Sequence, residues 1–234
     1  MAEFYQSGYK QPGLTTELPC DSELASLVQA KFRGSSKDFS RVVRLLRILG
    51  IGEGSRVLDF GANWGYGVWQ LKDAGYDAIG YEISKPRAEY SKKLGVRVLT
   101  AWEEVTESGL FDVVFSSHVL EHTPDPASSI FDQIGTIKDG GFLVAIFPNG
   151  STSFQLANYN NFHRLWGRVH PVMLNDTYLA RLLDEYPLFQ AGTDGESFDS
   201  LSNWGGDSNY TGDLSSNEML VVARIVRTRS TEVI

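Results

Sequence analysis

His118, Glu121 and His122 stand at spacings i, i+3 and i+4, which would put all three on one face of a helix. An imidazole beside a carboxylate can move a proton near neutral pH. The same trio, joined by a later histidine such as His163 or His170, could instead hold a divalent metal that acidifies a hydroxyl. Glu121 and His122 could also simply cap and brace a loop. A second chemistry-bearing stretch is Val57-Leu58-Asp59-Phe60-Gly61-Ala62-Asn63-Trp64-Gly65-Tyr66-Gly67. A strand ending in Asp, a tight turn with Gly61 and Gly65, and then a helix let backbone N–H groups approach a ligand closely. The dinucleotide fingerprint GxGxxG does not fit. From Gly61 its later glycines are replaced by Asn63 and Tyr66, and from Gly65 it fails at Gln70. That disfavours a nicotinamide enzyme.

The elements around these residues alternate β-branched runs with helical patterns, which reads as βαβ units and a mostly parallel sheet. Arg56 to Phe60, Asp77 to Tyr81, Val96 to Leu99, Phe111 to Phe115 and Phe142 to Phe147 read as strands. Val42 to Leu49, Val68 to Ala74, Ser84 to Leu94 and Ala127 to Ile137 read as helices, and Met219 to Val226 as a final strand. Ser22 to Phe32 is helical after an irregular entry. Asn175-Asp176 is an N-cap for a helix over Tyr178 to Leu183. Residues 149–170 carry Phe154, Tyr159, Phe162, His163 and Trp166 without period, and Tyr5 and Tyr9 add aromatics near the N-terminus. These rings either pack a lid or line an acceptor pocket. Residues 192–217 read as a long loop or a hairpin.

With these elements in place, the chain resembles the class I S-adenosylmethionine-dependent methyltransferases. Asp59, Gly61 and Gly65 match the first motif, hydrophobic-Asp-x-Gly-x-Gly-x-Gly, with Asn63 in place of its middle glycine. Glu82 closes Ala78-Ile79-Gly80-Tyr81-Glu82 about 20 residues later, where an acidic side chain meets a ribose. Phe111 to His122, ending His-Val-Leu-Glu-His, resembles the fourth-strand motif of a small-molecule branch. Lys138-Asp139-Gly140-Gly141 with Pro148-Asn149 resembles its fifth-strand segment. The resemblance covers roughly residues 40–190.

The resemblance implies a Rossmann-like, doubly wound, seven-stranded, mostly parallel α/β sheet whose last strand is antiparallel. It makes residues 1–234 a single domain, divided into an N-terminal cap over 1–40, a cofactor-binding core over 41–149, a lid over 150–176, and the rest of the sheet over 177–234. It implies S-adenosyl-L-methionine as cofactor and S-adenosyl-L-homocysteine as product. Asp59 and Gly61 would hold the methionine end and Glu82 the ribose; Ala101 and Trp102 would meet the adenine, and Asn63, Gly65 and Ser116 complete the cofactor contacts. His118 would act as general base toward a small-molecule hydroxyl, ionising near its ordinary value, with no metal. The alternatives are a metal-assisted enzyme using His118, Glu121 and His122, an N- or C-methyltransferase, or a cofactor-binding protein without turnover.

The composition fits a single small-molecule enzyme better than a nucleic-acid or membrane binder. The 234 residues carry 21 Lys+Arg against 29 Asp+Glu, a formal charge of −8, so there is no basic field to neutralise phosphates or anionic lipids. Cys20 is the single cysteine, which excludes an intrachain disulfide and a multi-thiolate zinc site. The N-terminus has no apolar signal segment, and Gly141 to Phe147 is too short to cross a bilayer. A cytoplasmic monomer or homodimer is expected.

Overall fold

The computed structural model describes residues 17–163, 167 and 170–227; Tyr5, Tyr9 and Trp166 lie outside them. The described residues contain eight strands: β1 (Arg56–Phe60), β2 (Asp77–Tyr81), β3 (Val98–Leu99), β4 (Phe111–Ser117), β5 (Ile137–Pro148), β6 (Leu188–Gly192), β7 (Tyr210–Thr211) and β8 (Glu218–Arg224). The chain divides into two compact units, Met1–Leu110 and Phe111–Ile234.

In the first unit β2 pairs in parallel with both β1 and β3, setting Phe60 opposite Tyr81 and Gly80 opposite Val98. Helices cover these strands, so Val57 and Leu58 are fully buried and the run is continuously apolar rather than alternating. The helix over Ser40–Ile48 buries Val42, Val43, Leu45 and Leu46 and leaves Arg41, Arg44 and Arg47 exposed. It stops at Gly50, whose φ of 74° only glycine adopts cheaply. The helix Asp21–Gln29 and the turn after it bring Leu24 and the fully buried Phe32 against Trp64 of the glycine turn. Phe32 lies 6.0 Å from Trp64 and 5.5 Å from Trp69 between ring centroids, so the described part of the entry segment packs on that turn.

In the second unit β4 and β5 run parallel, while β8 runs antiparallel between β5 and β6. The antiparallel last strand is thus as expected. The sheet strands number eight rather than seven because the two-residue β7 adds a short parallel pairing to β6. Residues 192–217 hold no hairpin; they contain the helix Gly195–Asn203, N-capped by Asp194, followed by β7. Asn175 Oδ1 accepts from Tyr178 N at 2.8 Å and caps the helix Asp176–Leu182, as its residue type foretold. Within residues 150–176 Phe154 and Phe162 are buried and meet edge to face at 6.3 Å, whereas Tyr159 is 76% exposed. Two of those rings therefore pack rather than line a pocket.

Candidate functional site

The first unit assembles the glycine turn at the carboxyl ends of β1 and β2. Gly61 and Gly65 take φ of 85° and 86°, and Asn63 takes 53°, a left-handed value that asparagine tolerates better than most residues. A Cβ on Gly65 would stand 2.8 Å from Val96 and 2.9 Å from Ser91, so that position needs glycine for space as well as for φ. The N–H groups of Gly61, Ala62, Asn63 and Gly65 are all bonded within the protein. Gly61 N and Ala62 N both donate to Tyr81 O, at 2.8 and 2.9 Å, and Gly65 N donates to Ala62 O. Asn63 N donates to Glu82 Oε2 at 3.0 Å, and Ser84 N to Glu82 Oε1 at 2.8 Å.

What the turn presents instead is acid. Asp59 is 4% exposed, and burial, then the neighbouring Glu82, push its carboxyl up to about 7. Glu82, 6% exposed, is also raised by burial, although Ser84 N–H, the Arg87 charge and Asn63 N–H pull it the other way. Each Glu82 oxygen keeps a lone pair for a further donor. A Cβ on Gly67 would fall 2.5 Å from Asp59 Oδ2 and 2.5 Å from the Phe39 ring. Gly67 is therefore what lets Phe39 and the Asp59 carboxylate share this space.

Beside it, Trp102 begins the helix Trp102–Glu107, with Ala101 as its N-cap residue. Its ring stands edge-on to Phe60 at 5.7 Å and to Tyr81 at 5.2 Å, and those two rings lie 5.3 Å apart. Trp102 remains half-buried, so a fixed aromatic corner closes the carboxyl ends of β1 and β2. Phe60 and Tyr81 were not singled out from sequence. The alternation of strand side chains, read against the turn, was the available signal.

The second unit holds the histidine cluster. It is not a helix face: His118 follows β4 with a φ of 53°, and only Leu120–His122 makes a single 3-10 turn. The contact arises from the backbone bend instead. His118 Nδ1 lies 3.3 Å from Glu121 Oε1, and Nε2 lies 2.7 Å from Glu218 Oε1. Burial pulls this imidazole down, but Glu121 and Glu218 together outweigh that and push it up to about 10. The side chain is 44% exposed, so water screens part of the gain. The expected ionisation near 6–7 is corrected upward: two carboxylates favour the imidazolium, which has no lone pair with which to accept a proton.

Glu218 was not found from sequence, being 100 residues away at the start of β8. Its Oε2 accepts from Thr193 Oγ1 at 3.2 Å. Glu121 is 1% exposed, and neither of its oxygens accepts a well-formed hydrogen bond from the described residues. His122 and His170 stack obliquely, 4.8 Å between centroids, and Glu121, His122 and His170 bring one ligand atom each to within 4.8 Å of one another. His163 is exposed and is not in that group. Ser116, within β4, is 1% exposed and its Oγ has no hydrogen-bond partner among the described residues. Asn149 of the Pro-Asn segment is fully buried: its Nδ2 donates to Leu214 O and Ser216 O, and its Oδ1 accepts from Ser151 N.

Residues 36–188 match the methyltransferase domain family. A ubiquinone biosynthesis O-methyltransferase of Alkalilimnicola ehrlichii is 29% identical over 113 residues, covering 44% of this chain and 46% of that protein. The match thus spans less than half the length of that relative. A SAM dependent methyltransferase from Archaeoglobus fulgidus superposes with a TM-score of 0.54 at 18% identity, covering 86% of this chain and 99% of the other. The plantazolicin methyltransferase BpumL in complex with SAH superposes with a TM-score of 0.58 at 9% identity, covering 97% and 94%. At these identities the superpositions speak for the fold. Among the described residues no helix is long and apolar enough to cross a membrane.

Proposed function

The chain belongs to the methyltransferase domain family, and from that premise we propose that it transfers the methyl group of S-adenosylmethionine to a hydroxyl of a small-molecule acceptor. The observation that carries this reading is the character of the glycine turn. A phosphate would require free N–H donors, and those of Gly61, Ala62 and Asn63 are spent on Tyr81 and Glu82. A ligand with an ammonium group and vicinal hydroxyls is what two buried, destabilised carboxylates favour, since each gains a donor it lacks water to supply. Asp59 would take the ammonium of the methionine moiety and Glu82 the ribose. Trp102, braced by Phe60 and Tyr81, would offer a ring to the adenine, worth on the order of 1 kcal/mol. Gly61, Asn63, Gly65 and Ala101 shape this surface, and Ser116 is retained as a cofactor contact from the resemblance alone.

The sulfonium is already a strong electrophile, so alignment and exclusion of water supply most of the acceleration. The acceptor hydroxyl oxygen attacks the methyl carbon and releases its proton to water, the carbon–sulfur bond breaks, and the electron pair of that bond stays on sulfur as S-adenosylhomocysteine forms. His118 serves the acceptor in this reading. As an imidazolium it acts by fixing Glu121 and Glu218 rather than by accepting the proton. The hydroxyl acceptor draws support from the O-methyltransferase relative, and the acidic net charge argues for a small molecule rather than a nucleic acid. Calorimetry tests the cofactor half directly. S-adenosylhomocysteine should bind with a 1:1 stoichiometry, and Asp59→Ala should abolish the binding while leaving a cooperative thermal transition. Equal affinity in Asp59→Ala would end the assignment.

A further inference from the structure

We propose that Phe39, fixed by Gln70, seals the Asp59 carboxylate from water and so makes this pocket select ligands that carry an ammonium group. The inference deepens the methyl-transfer reading and rests on it for the identity of the ligand. Gly67 supplies the geometry. The point a Cβ would occupy there lies 2.5 Å from Asp59 Oδ2 and 2.5 Å from both Cε1 and Cζ of Phe39. The ring edge and the carboxylate oxygen therefore stand no more than twice that distance apart. Phe39 is itself half-buried and meets Tyr66 edge-on at 5.7 Å. Asp59 is buried, and among the described residues no hydrogen-bond donor offsets that burial. An apolar ring in this place removes water and returns no donor.

Gln70 is what holds the ring there. It lies buried on the helix Tyr66–Asp73 with both ends of its amide engaged. Its Oε1 accepts from Phe39 N at 2.8 Å, and its Nε2 donates to Lys37 O at 2.8 Å and to Tyr66 O at 3.0 Å. Asp38 ties the same turn from the other side, accepting from Ser40 N at 2.8 Å and Gly34 N at 3.0 Å. The backbone on both sides of Phe39 is thus pinned, and swinging the ring off Gly67 would break hydrogen bonds of a buried amide. The charge that faces Asp59 is Glu82 at the end of β2, on which Arg87 acts in turn. Asp38 is committed to its own turn and to Arg33, and Lys37 acts on Glu23. Tyr66 and Gln70 bring no cation.

A carboxylate kept dry attracts an ammonium more strongly than a hydrated one, because the pair interacts across a lower local dielectric. A neutral ligand gains nothing from it. The pocket should therefore separate S-adenosylhomocysteine from 5′-methylthioadenosine, which keeps the nucleoside and the thioether but lacks the ammonium. Phe39 is the wall that the ligand meets, and Gln70 is a positioning residue that acts through it.

The test pairs a carbon-13 NMR titration of the Asp59 carboxyl in the ligand-free full chain with calorimetry of both nucleosides at pH 8. In Phe39→Ala the titration should move about 1 pH unit lower, because water reaches the carboxylate. S-adenosylhomocysteine affinity should fall about tenfold while that of 5′-methylthioadenosine stays within about twofold. Gln70→Met keeps the side-chain volume and removes the three hydrogen bonds, so it should shift the titration in the same direction, and it carries the test where Phe39→Ala melts too early. Phe39→Leu, which restores an apolar cover, should recover most of the parent behaviour. A titration unmoved in Phe39→Ala and Gln70→Met, or an equal loss of affinity for the two nucleosides, would overturn the proposal. If the parent binds neither nucleoside, the methyl-transfer reading fails, and the ligand-free titration alone upholds or overturns the seal over Asp59.

Discussion

The backbone N–H of Asn63 donates to Glu82 Oε2 across 19 residues of chain, so the turn after β1 is held by the side chain that ends β2. Glu82 therefore shapes the turn as well as offering oxygens to a ligand. Glu82→Gln should place an amide N–H2 against either Asn63 N–H or Ser84 N–H, two donors facing each other. We predict a lower melting temperature together with cofactor affinity weakened by about 1–3 kcal/mol. Unchanged affinity with a lowered melting temperature would confine Glu82 to the turn.

Asp59 should make both stability and binding depend on pH. Burial and the neighbouring Glu82 push its folded carboxyl from the ordinary 3.8 up to about 7, so the folded protein holds the extra proton between those values. Stability of the ligand-free protein should therefore fall as pH rises from about 4 to about 7. Asp59→Asn should flatten that slope. An ammonium beside Asp59 reverses its preference, so cofactor affinity should rise with pH over the same interval. Calorimetry at pH 6 in buffers of different ionisation enthalpy should show proton release on binding. No dependence on the buffer would remove Asp59 from the contact.

Gly67→Ala should be costly, because its Cβ meets the Asp59 carboxylate and the Phe39 ring at once. We predict a loss of about 1–3 kcal/mol of stability, the usual scale of overpacking, and weakened cofactor binding. Gly135→Ala is the comparison. Nothing lies within 4 Å of a Cβ at that helical position, so it should be neutral or slightly stabilising by chemical denaturation.

The imidazole of His118 should stay protonated well above its ordinary range. In chelator-treated protein, NMR titration of the ring should show no deprotonation up to pH 8, and Glu218→Gln should bring the titration down. The sign for stability follows. The folded protein holds this proton between about 6.5 and about 10, so the contribution is complete below that window and lost as pH rises through it. Ordinary titration near 6.5 in the parent would restore His118 as a proton acceptor.

The parts of this architecture that the sequence made legible are those where local chemistry decides. β1, the glycine turn, β2 and the helices after them announce themselves through apolar runs punctuated by Gly61, Gly65, Gly75 and Gly95, because backbone geometry there depends on near neighbours. Residues 188–211 were obscure. Leu188 to Gly192 is a five-residue strand beside a Pro, and Gly195–Asn203 is a helix built of Ser, Asp and Gly that relies on its Asp194 cap. The pairing of His118 with Glu218 and the convergence of His170 on Glu121 were not legible, since tertiary bends alone bring them together. The histidine spacing suggested the right residues for the wrong reason: a helical face was read where a left-handed bend does the work. Asn149, seen only as part of a motif, is a buried bracket for residues 214–216.

The place of β8 has a consequence for how the chain is made. Its residues 218–224 form the hydrogen-bonded partner of both β5 and β6, so the second unit lacks an interior strand until those residues, some 70 positions after β5, have left the ribosome. The first unit needs no such delay, since β1, β2 and β3 all lie between residues 56 and 99. Synthesis thus meets a half that can close early on short-range contacts and a half that waits with the open edges of β5 and β6 exposed. Truncations or stalled chains ending before Glu218 would carry those edges permanently and should be the aggregation-prone products of this gene.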